Sequence, residues 1–316
     1  MGTYLVTGGA GFIGSNIVDG LLARGETVRV IDNLSTGRLS NTAGFIDRVK
    51  FLEADICDAA AVDEAVRGVD YVIHQAALAS VPRSIADPTA NNQVNVQGTL
   101  NLLEAAVTHN VKRMVYASSS SVYGDSEQLP KIETMAPNPK SPYAVAKLAA
   151  EYYCGVFSAL HGLSTIALRY FNVFGPRQDP NSDYSAVIPL FVRSLLEGNA
   201  PTIHGDGEQS RDFTFIDNVV SANMMACDAN ITGARVYNIA CGDRLTLNHL
   251  YDTLRNKLGI DLESVHGPDR AGDVKHSMAD ITKISGEIGY KPTVSFEDGI
   301  DRTIKWYQEV GLKALG

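Results

Sequence analysis

Cysteine and long apolar runs are both scarce in this chain. The 316 residues include four cysteines, with no CxxC pair and no spacing typical of metal ligands: Cys57, Cys154, Cys227 and Cys241. This pattern indicates reduced, mostly buried thiols and argues against a disulfide framework or a zinc site. No apolar run reaches the roughly 20 residues that a membrane-spanning helix needs. Residues 2–6 lead directly into a predicted strand, without a signal peptide. We therefore expect a soluble, cytoplasmic protein with no metal site and no membrane contact.

Basic residues are also fewer than acidic residues. Lysine and arginine number 27 against 36 acidic residues, which gives a formal net charge of −9. Proteins that bind nucleic acids or membrane surfaces usually present a basic surface, so we expect neither partner. A few well-placed arginines could still form a local pocket for a small anionic ligand. The length, with 45% hydrophobic residues, is typical of one or two packed domains with a substantial core.

The first clear motif is a glycine loop. A short predicted strand precedes the sequence GGAGFIG at residues 8–14, and helical periodicity follows at residues 15–22. Strand, glycine loop and helix in this order are typical of a dinucleotide site. Gly8 allows the sharp turn, Gly11 lets the backbone approach a pyrophosphate, and Gly14 permits close helix packing. The amides at the helix N-terminus would bind the pyrophosphate.

An acidic residue ends the second predicted strand, at residues 27–31, where Asp32 and Asn33 follow. A carboxylate at this position accepts hydrogen bonds from the 2′-hydroxyl of an adenosine ribose and would repel a 2′-phosphate. Arg38, six residues later, is a weak counter-signal that we place on the loop surface. The predicted cofactor is therefore NAD rather than NADP.

Strands and helices continue to alternate towards residue 170. The pattern predicts strands at residues 49–54, 71–74, 113–118 and 164–169, and helices at residues 59–66, 91–109 and 143–160. Repeated βα units predict an α/β fold, a Rossmann-type doubly wound parallel sheet with ligands at the carboxyl ends of its strands. Asp55, Ala76, Ala77 and the serine run at 118–121 all follow strand ends, so we expect them to line one crevice. Asp55 would approach the adenine, and the two alanines would leave room for the cofactor.

The alternation weakens in the second half. Residues 176–189 read as a polar connection, residues 190–196 as a helix and residues 236–240 as a strand, and Thr246 is a candidate cap of a further helix. The expected division is a dinucleotide-binding domain and a smaller C-terminal α/β domain. Their bounds are 1–170, with a returning segment near 211–240, for the first, and 171–210 with 241–316 for the second.

Tyr143 and Lys147 are the strongest candidates for catalysis. Their spacing of four residues places them on one face of a predicted helix. A positive charge beside a phenol lowers its pKa. The pair would then supply a base near neutral pH, able to take the proton of a sugar or alcohol hydroxyl during hydride transfer. The pair alone is a weak signal, but the serine run and the glycine loop strengthen it.

Together these motifs resemble those of the extended short-chain dehydrogenase/reductase family and, within it, the UDP-sugar 4-epimerases. The matching stretches cover nearly the whole chain and are VTGGAGFIG, VIDNLSTG, EADI, VIHQAA, NVQGTLNLLEAA, SSSSVYG, SPYAVAK, LRYFNVFGPRQDP, SRDFTFIDNV and RAGDVKHSMADITK. The resemblance implies a Rossmann domain with tightly bound NAD and a smaller domain that closes over a nucleotide sugar. It also implies a homodimer in which residues 91–109 and 143–160 form a four-helix bundle.

The resemblance further implies the residues of the site. Ser119, five residues before Gly124, matches the catalytic Ser/Thr and acts with Tyr143 and Lys147, while Ser118 and Ser120 remain rivals for its role. The expected cofactor contacts are Gly8, Gly11, Phe12, Ile13, Gly14, Asp32, Asn33, Ser35, Thr36, Gly37, Asp55, Ile56, Gln75, Ala76, Ala77, Ala79, Asn95, Ser119, Tyr143, Lys147 and Phe171. The expected substrate contacts are Arg83, Ser119, Asn172, Ala186, Val187, Arg211, Arg270, Asp273 and Ser277.

The implied reaction passes through oxidation without a net redox change. Tyr143, as phenolate, takes the proton of the sugar 4′-hydroxyl while hydride leaves C4 for the nicotinamide. Lys147 binds the nicotinamide ribose, and Ser119 hydrogen-bonds the reacting oxygen. The 4-keto sugar then turns over before hydride returns to its other face. Meanwhile Arg211 and Arg270 would hold the diphosphate.

Ser277 bears on the choice of sugar. In the epimerase family this position borders the substituent at sugar C2, where a large aromatic residue crowds out an acetamido group. A serine leaves space for an acetamido group, although Ser277 could also simply pack in the wall of the pocket without selecting the sugar. We therefore expect interconversion of UDP-GlcNAc and UDP-GalNAc, with UDP-Glc and UDP-Gal as further substrates.

Three other functions share this fold. A nucleotide-sugar 4,6-dehydratase usually has Asp-Glu just after its catalytic threonine, where this chain has Ser120 and Ser121. A decarboxylase needs contacts for a uronic-acid carboxylate, which the sequence does not identify. A non-catalytic NAD-sensing protein tends to lose the catalytic tyrosine or lysine, and both are present here.

Overall fold

The computed structural model of the chain describes residues 1–181, 186–268 and 275–311. Its strands are β1 (Thr3–Thr7), β2 (Thr27–Asp32), β3 (Lys50–Glu53), β4 (Tyr71–His74), β5 (Arg113–Ser119), β6 (Ser164–Tyr170), β7 (Val173–Phe174), β8 (Thr202–His204), β9 (Ser210–Arg211), β10 (Thr214–Phe215), β11 (Ala234–Ile239), β12 (Leu245–Thr246) and β13 (Val265–Gly267). Its α-helices are α1 (Phe12–Ala23), α2 (Ala59–Val66), α3 (Val81–Ala86), α4 (Pro88–Asn92), α5 (Gly98–Thr108), α6 (Pro142–His161), α7 (Val187–Leu196), α8 (Ile216–Asp228), α9 (Leu247–Leu258), α10 (Thr282–Ile288) and α11 (Phe296–Val310). A π-helical segment, Gln93–Gln97, joins α4 to α5.

Seven parallel strands form the central sheet, in the order β11-β6-β5-β4-β1-β2-β3. The chain starts in the middle at β1, runs outward to β3, and then crosses back to β4 on the other side of β1. This reversal of strand order leaves a crevice at the carboxyl ends of β1 and β4, the position at which doubly wound sheets bind their ligands. The expected Rossmann-type α/β fold is confirmed.

Helices cover both faces of the sheet and bury its apolar side chains. On one face α1 packs against α8, where Ile17 and Leu21 belong to the same buried cluster as Val219 and Ala222. On the other face α2, α5 and α6 bury residues such as Leu102. A parallel sheet covered on both faces needs the nearly continuous apolar strands that this sequence contains.

Most predicted elements of the sheet agree with the structure. Residues 59–66 and 71–74 coincide with α2 and β4, and Thr246 caps α9 by accepting a hydrogen bond from the amide of His249. The predicted start of α7 at residue 190 is wrong, since the helix begins at Val187. Pro189 therefore lies in its first turn, where a missing N–H costs no hydrogen bond.

Outside the central sheet the chain forms short two-stranded sheets and further helices, which we call the smaller lobe. Strand β8 pairs with β13 and β9 with β12, while α7 packs against α9. Helix α8 packs against the main sheet, and β11 pairs with β6 within it. The bounds proposed for the two domains remain a prediction. Among the described residues, no helix is long and apolar enough to cross a membrane. All four cysteines are free thiols, and Cys154 and Cys227 are buried.

Candidate active site

A cleft of about 250 Å³ opens at the carboxyl ends of the central strands. Most of the residues expected to contact the cofactor line it. These are Gly8, Gly11, Phe12, Ile13, Gly14, Asp32, Asn33, Ser35, Thr36, Gly37, Asp55, Ile56, Gln75, Ala76, Ala77, Ala79, Tyr143 and Lys147. The sequence places them at strand ends and in the loops that follow, so the parallel sheet brings them to one edge.

The glycine loop has no room for side chains. Gly8 has a φ of +68°, and a Cβ there would lie 2.7 Å from the backbone nitrogen of Ala76. A Cβ at Gly14 would lie 2.1 Å from the carbonyl oxygen of Gly8, so the first turn of α1 packs directly on the loop. The carbonyl of Gly8 also accepts a hydrogen bond from the amide of Gly11 at 3.0 Å. This compact loop leaves the start of α1 open to an anionic group.

Asp32 closes the other side of the loop. Its buried carboxylate accepts hydrogen bonds from the amides of Ala10 at 2.9 Å and Leu34 at 2.8 Å. Each carboxylate oxygen can accept a second hydrogen bond, so the side chain can still bind a ribose hydroxyl. Arg38 forms an ion pair with Asp179 at 2.6 Å and is not among the described residues that line the cleft.

Tyr143 and Lys147 enter the cleft from the start of α6. Ser141 caps this helix by accepting a hydrogen bond from the amide of Ala144, and Pro142 occupies its first position. The ammonium of Lys147 donates to the carbonyl of Ala117 at 2.8 Å and lies 5.9 Å from the centre of the Tyr143 ring. The predicted face shared by tyrosine and lysine is therefore present.

The protonation of the pair differs from the expectation. Burial raises the pKa of the Tyr143 phenol, and the hydrogen bond from the Ser119 hydroxyl lowers it by a smaller amount. Burial also lowers the pKa of Lys147 to about 7. Near neutral pH the side chain is therefore only partly protonated, and its positive charge stabilises the phenolate less. Burial and Ser119 are the causes of the shift in the Tyr143 pKa, so the expected effect of Lys147 on the phenol stays a prediction.

The consecutive serines have different environments in the structure. The Ser118 hydroxyl donates to Glu151 at 2.8 Å in the protein interior. Ser119 ends β5 and accepts a hydrogen bond from the amide of Ser121 at 3.2 Å, and its side chain lowers the pKa of the Tyr143 phenol. Ser120 begins the short 3₁₀ helix that follows. Ser119 is thus the serine whose hydroxyl reaches the candidate base.

Phe171, Asn95 and Ser119 were expected to contact the cofactor but are not among the described residues that line the cleft. The Phe171 side chain is completely buried and packs against the ring of Tyr123. Asn95 is also buried, and its side-chain oxygen Oδ1 accepts a hydrogen bond from the backbone amide of Leu78 at 2.9 Å. It supports a residue of the cleft wall rather than forming that wall.

Sequence reasoning missed several cleft residues, chiefly Leu78, Val94 and Tyr170. The Tyr170 hydroxyl accepts hydrogen bonds from Gln75 at 2.9 Å and from Asn223 at 2.8 Å. Tyr170 ends β6, and its position at a strand end was the signal available in the sequence.

A second cavity, of about 420 Å³, lies in the smaller lobe. Four of the expected substrate contacts line it: Asn172, Ala186, Val187 and Arg211. Ser277 is not among its lining residues, although the Ser277 amide donates to the carbonyl of Ser210, next to Arg211. Arg83 lies in the short helix α3, also away from this wall, and Arg270 and Asp273 lie outside the described residues.

Comparison with known proteins shows the family to which the chain belongs. Residues 4–240 match the NAD dependent epimerase/dehydratase family. The UDP-glucose 4-epimerase of Mycolicibacterium smegmatis is 38% identical over 308 residues, which cover 96% of this chain and 98% of that protein. The dTDP-glucose 4,6-dehydratase of Streptomyces niveus is 36% identical over 319 residues, with 96% and 92% covered.

A solved structure is similar along the whole chain. It is the UDP-N-acetylglucosamine 4-epimerase from Methanobrevibacter ruminantium in complex with UDP-N-acetylmuramic acid, with a TM-score of 0.94 and 41% identity, covering 98% of this chain and 99% of that one. These findings confirm the resemblance, the enzymatic nature of the protein and NAD as the cofactor. The chain belongs to the NAD-dependent epimerase/dehydratase family.

Proposed function

We propose that the protein is a 4-epimerase of UDP-hexoses. The observation that carries this proposal is that Tyr143 and Lys147 together line a cleft suited to a dinucleotide, with the Lys147 ammonium 5.9 Å from the centre of the Tyr143 ring. A phenol in contact with a hydroxyl and near an ammonium is suited to take and return the proton of a secondary alcohol. The two epimerases described above support this choice of reaction.

The residues of the cleft fit NAD. A Cβ at Gly14 or Gly37 would collide with the carbonyl of Gly8 or the carboxylate of Asp32, so the cradle stays open for a diphosphate and a ribose. The amides at the start of α1 would bind the diphosphate, and Asp32 would bind the adenosine ribose. When bound, NAD supplies the hydride acceptor and a positive ring that favours the phenolate.

The three catalytic side chains have separate roles. Tyr143 would take the proton of the 4′-hydroxyl and return it to the same oxygen after the 4-keto sugar has turned its other face to the nicotinamide. Ser119 donates a hydrogen bond to the phenol oxygen and so favours its ionised form. Lys147, fixed by the carbonyl of Ala117, binds the nicotinamide ribose. General acid–base help of this kind is worth roughly 10²–10⁴-fold in rate.

Inversion requires an anchored nucleotide and a mobile hexose. Arg211 is the described residue of the second cavity best suited to the diphosphate, because a guanidinium forms paired, charge-assisted hydrogen bonds with phosphate. Asn172, Ala186 and Val187 would contact the rest of the nucleotide sugar. With the binding energy concentrated on the nucleotide, the 4-keto sugar can turn within the site.

We favour UDP-GlcNAc and UDP-GalNAc as the preferred pair, with UDP-Glc and UDP-Gal as further substrates. A small residue, Ser277, stands beside Ser210 and Arg211, where an aromatic side chain would take space from an acetamido group. The similarity to a UDP-N-acetylglucosamine 4-epimerase supports the same choice.

A product assay tests the function. Incubation with UDP-GlcNAc and with UDP-Glc, followed by chromatography and mass spectrometry, should give an isomer of equal mass from UDP-GlcNAc. A product lighter by one water would identify a dehydratase instead, although Ser120 and Ser121 occupy the positions of the acidic pair expected for that elimination. If neither sugar changed in the presence of bound NAD, the proposal would be refuted.

Tyr143→Phe tests the assigned base. We expect the variant to retain NAD and to lose at least about 100-fold in turnover, because the phenol hydroxyl alone is removed. The matched control is Tyr71→Phe, at the amino end of β4 and so at the opposite edge of the sheet, which should keep the wild-type rate. Normal turnover in Tyr143→Phe would exclude this residue as the base.

We also propose that two copies pair through α6 and the helix formed by α4 and α5. Several apolar side chains on α6 are exposed at spacings that place them on one face, namely Val145, Tyr152, Val156 and Leu160. Val156→Asp should convert a dimer into a monomer in sedimentation experiments. Leu190→Asp, at an exposed position on α7, should leave the assembly unchanged.

A further inference from the structure

A buried ion pair lies behind the candidate active site. Glu151 on α6 and Arg169 on β6 have side chains that are 3% and 4% exposed. The Arg169 guanidinium donates to both oxygens of the carboxylate, from Nη2 to Oε1 at 2.5 Å and from Nε to Oε2 at 3.0 Å. A fork of this kind fixes the orientation of both groups and not only their distance.

The carboxylate also reaches the strand that ends in the catalytic serine. Ser118 stands directly opposite Arg169 in the parallel register of β5 and β6, and its hydroxyl donates to Glu151 Oε2 at 2.8 Å. One carboxylate therefore binds two neighbouring strands at the residue before Ser119. The backbone of Ser119 has little freedom to move relative to α6.

Helix α6 contacts the end of β5 along three successive turns. Tyr143, Lys147 and Glu151 are four residues apart and so share one face. The Ser119 hydroxyl lowers the pKa of Tyr143, Lys147 donates to the carbonyl of Ala117, and Glu151 accepts from Ser118. Consecutive residues of the strand are thus each tied to one turn of the helix.

Arg169 supports Ser119 from its other side as well. Its guanidinium lies 4.7 Å from the ring centre of Tyr123, in the 3₁₀ helix that begins directly after Ser119. The Tyr123 hydroxyl donates to Asn238 at 2.6 Å, which fixes that ring in the interior. The ion pair therefore contacts the chain both before and after the catalytic serine.

We propose that Glu151 and Arg169 are positioning residues that hold the end of β5, and with it Ser119, in place beside Tyr143. The inference rests on the proposed epimerase function. Neither side chain needs to touch the substrate, because both act through the strand end and the helix. A buried ion pair can often be replaced by apolar residues without loss of stability, so the fold alone does not require these charges.

The main test compares Glu151→Gln with the wild-type enzyme. We expect kcat for UDP-GlcNAc to fall at least about tenfold, since a displacement of about 1 Å at a reacting group can cost about 100-fold. The KM should stay within about twofold, because the substrate cavity lies elsewhere. The hydrogen bond from Ser119 lowers the pKa of Tyr143, so weakening it should move the acidic limb of the kcat–pH profile to higher pH.

Arg169→Lys provides a second variant that keeps the buried charge balanced. Lysine preserves the positive charge but loses the two-pronged contact, so kcat should again fall with KM unchanged. The control is Arg113→Lys, at the other end of β5. Arg113 is buried and donates to the carbonyls of Ala226, Cys227 and Ala229, remote from the catalytic residues in the strand. The Arg113→Lys variant should have a lower unfolding temperature than the wild type but the same kcat and the same pH profile.

The outcomes separate positioning from stability. If Glu151→Gln and Arg169→Lys behave like Arg113→Lys, with a lower unfolding temperature but wild-type kcat per NAD-containing site, the pair is only structural and the inference fails. If the wild-type enzyme epimerises no UDP-sugar, the proposed function fails instead. The positioning can then be tested by ultraviolet titration of Tyr143, taken as the difference from Tyr143→Phe. A higher pKa in Glu151→Gln supports it, and an unchanged pKa overturns it.

Discussion

Burial governs the charge of the two candidate catalytic groups, Tyr143 and Lys147. It raises the pKa of the phenol and lowers that of the ammonium, because the charged form of each group loses solvation. Ser119 opposes this for the phenol by donating a hydrogen bond. At the scale of single residues, burial therefore favours the uncharged form of both groups.

The lowered pKa of Lys147 gives a prediction for stability. The pKa is about 7 in the folded protein, against about 10.4 in an unfolded chain. The unfolded state therefore binds more protons at this group between these values, so its contribution makes the free energy of unfolding rise with pH there, by up to about 1.4 kcal/mol per pH unit. In Lys147→Met this contribution is absent.

Urea unfolding at several pH values from 6 to 10 checks this. The stability gained by Lys147→Met over the wild type should be largest at or below pH 7 and should shrink towards pH 10. Because both proteins share every other titrating group, their difference isolates Lys147. Parallel stability curves would show that the lysine titrates normally.

At the scale of elements, the contact between the glycine loop and α1 depends on a missing side chain. Gly14→Ala would place a Cβ 2.1 Å from the carbonyl oxygen of Gly8, so the helix must move away from the loop. Forcing a group into such a packed contact costs about 1–3 kcal/mol. We expect a lower unfolding temperature and a reduced content of bound NAD, measured by absorbance after release.

Gly286→Ala is the matched control for this change. Gly286 lies in α10 with no neighbouring atom within 4 Å of an added Cβ. Alanine there should stabilise the helix by about 0.5–1 kcal/mol and leave the NAD content unchanged. Equal NAD content in Gly14→Ala and the wild type would argue against the assigned role of the loop.

At the scale of the whole molecule, Asp212 joins segments that are distant in the chain. Its fully buried carboxylate accepts hydrogen bonds from the amides of Cys241 at 2.9 Å, Gly242 at 3.1 Å and Ala279 at 3.2 Å. It follows Arg211, the candidate ligand of the diphosphate. The shape of the substrate lobe around that arginine therefore depends on this carboxylate.

Asp212→Asn should weaken the lobe more than the sheet. The amide group of asparagine cannot accept all three hydrogen bonds, and each buried amide left without a partner costs about 1–3 kcal/mol. We expect KM for the UDP-sugar to rise by at least about fivefold with a smaller change in kcat, measured by initial rates. Asp261→Asn, at an exposed position, should change neither value, and an unchanged KM in Asp212→Asn would contradict the prediction.

The sequence by itself determined the main alternation of strands and helices up to residue 170 and the place of the cofactor cleft. The glycine loop, Asp32 and the Tyr143–Lys147 spacing were readable because each depends on a few adjacent residues and on the period of a helix or strand. Residues that follow predicted strands were expected to line one crevice, because the carboxyl ends of parallel strands lie at the same edge of the sheet. These features need no knowledge of distant contacts.

Only the tertiary structure decided which side chains face that crevice and in which state of charge. Phe171 and Asn95 turn into the interior, while Ser118 lines the crevice and donates its hydroxyl to Glu151, 33 residues away. The pKa of Tyr143 rises because of burial by parts of the chain that no local pattern describes. Burial and hydrogen bonding between distant residues arise only when the chain packs, so they cannot be read from spacing along it.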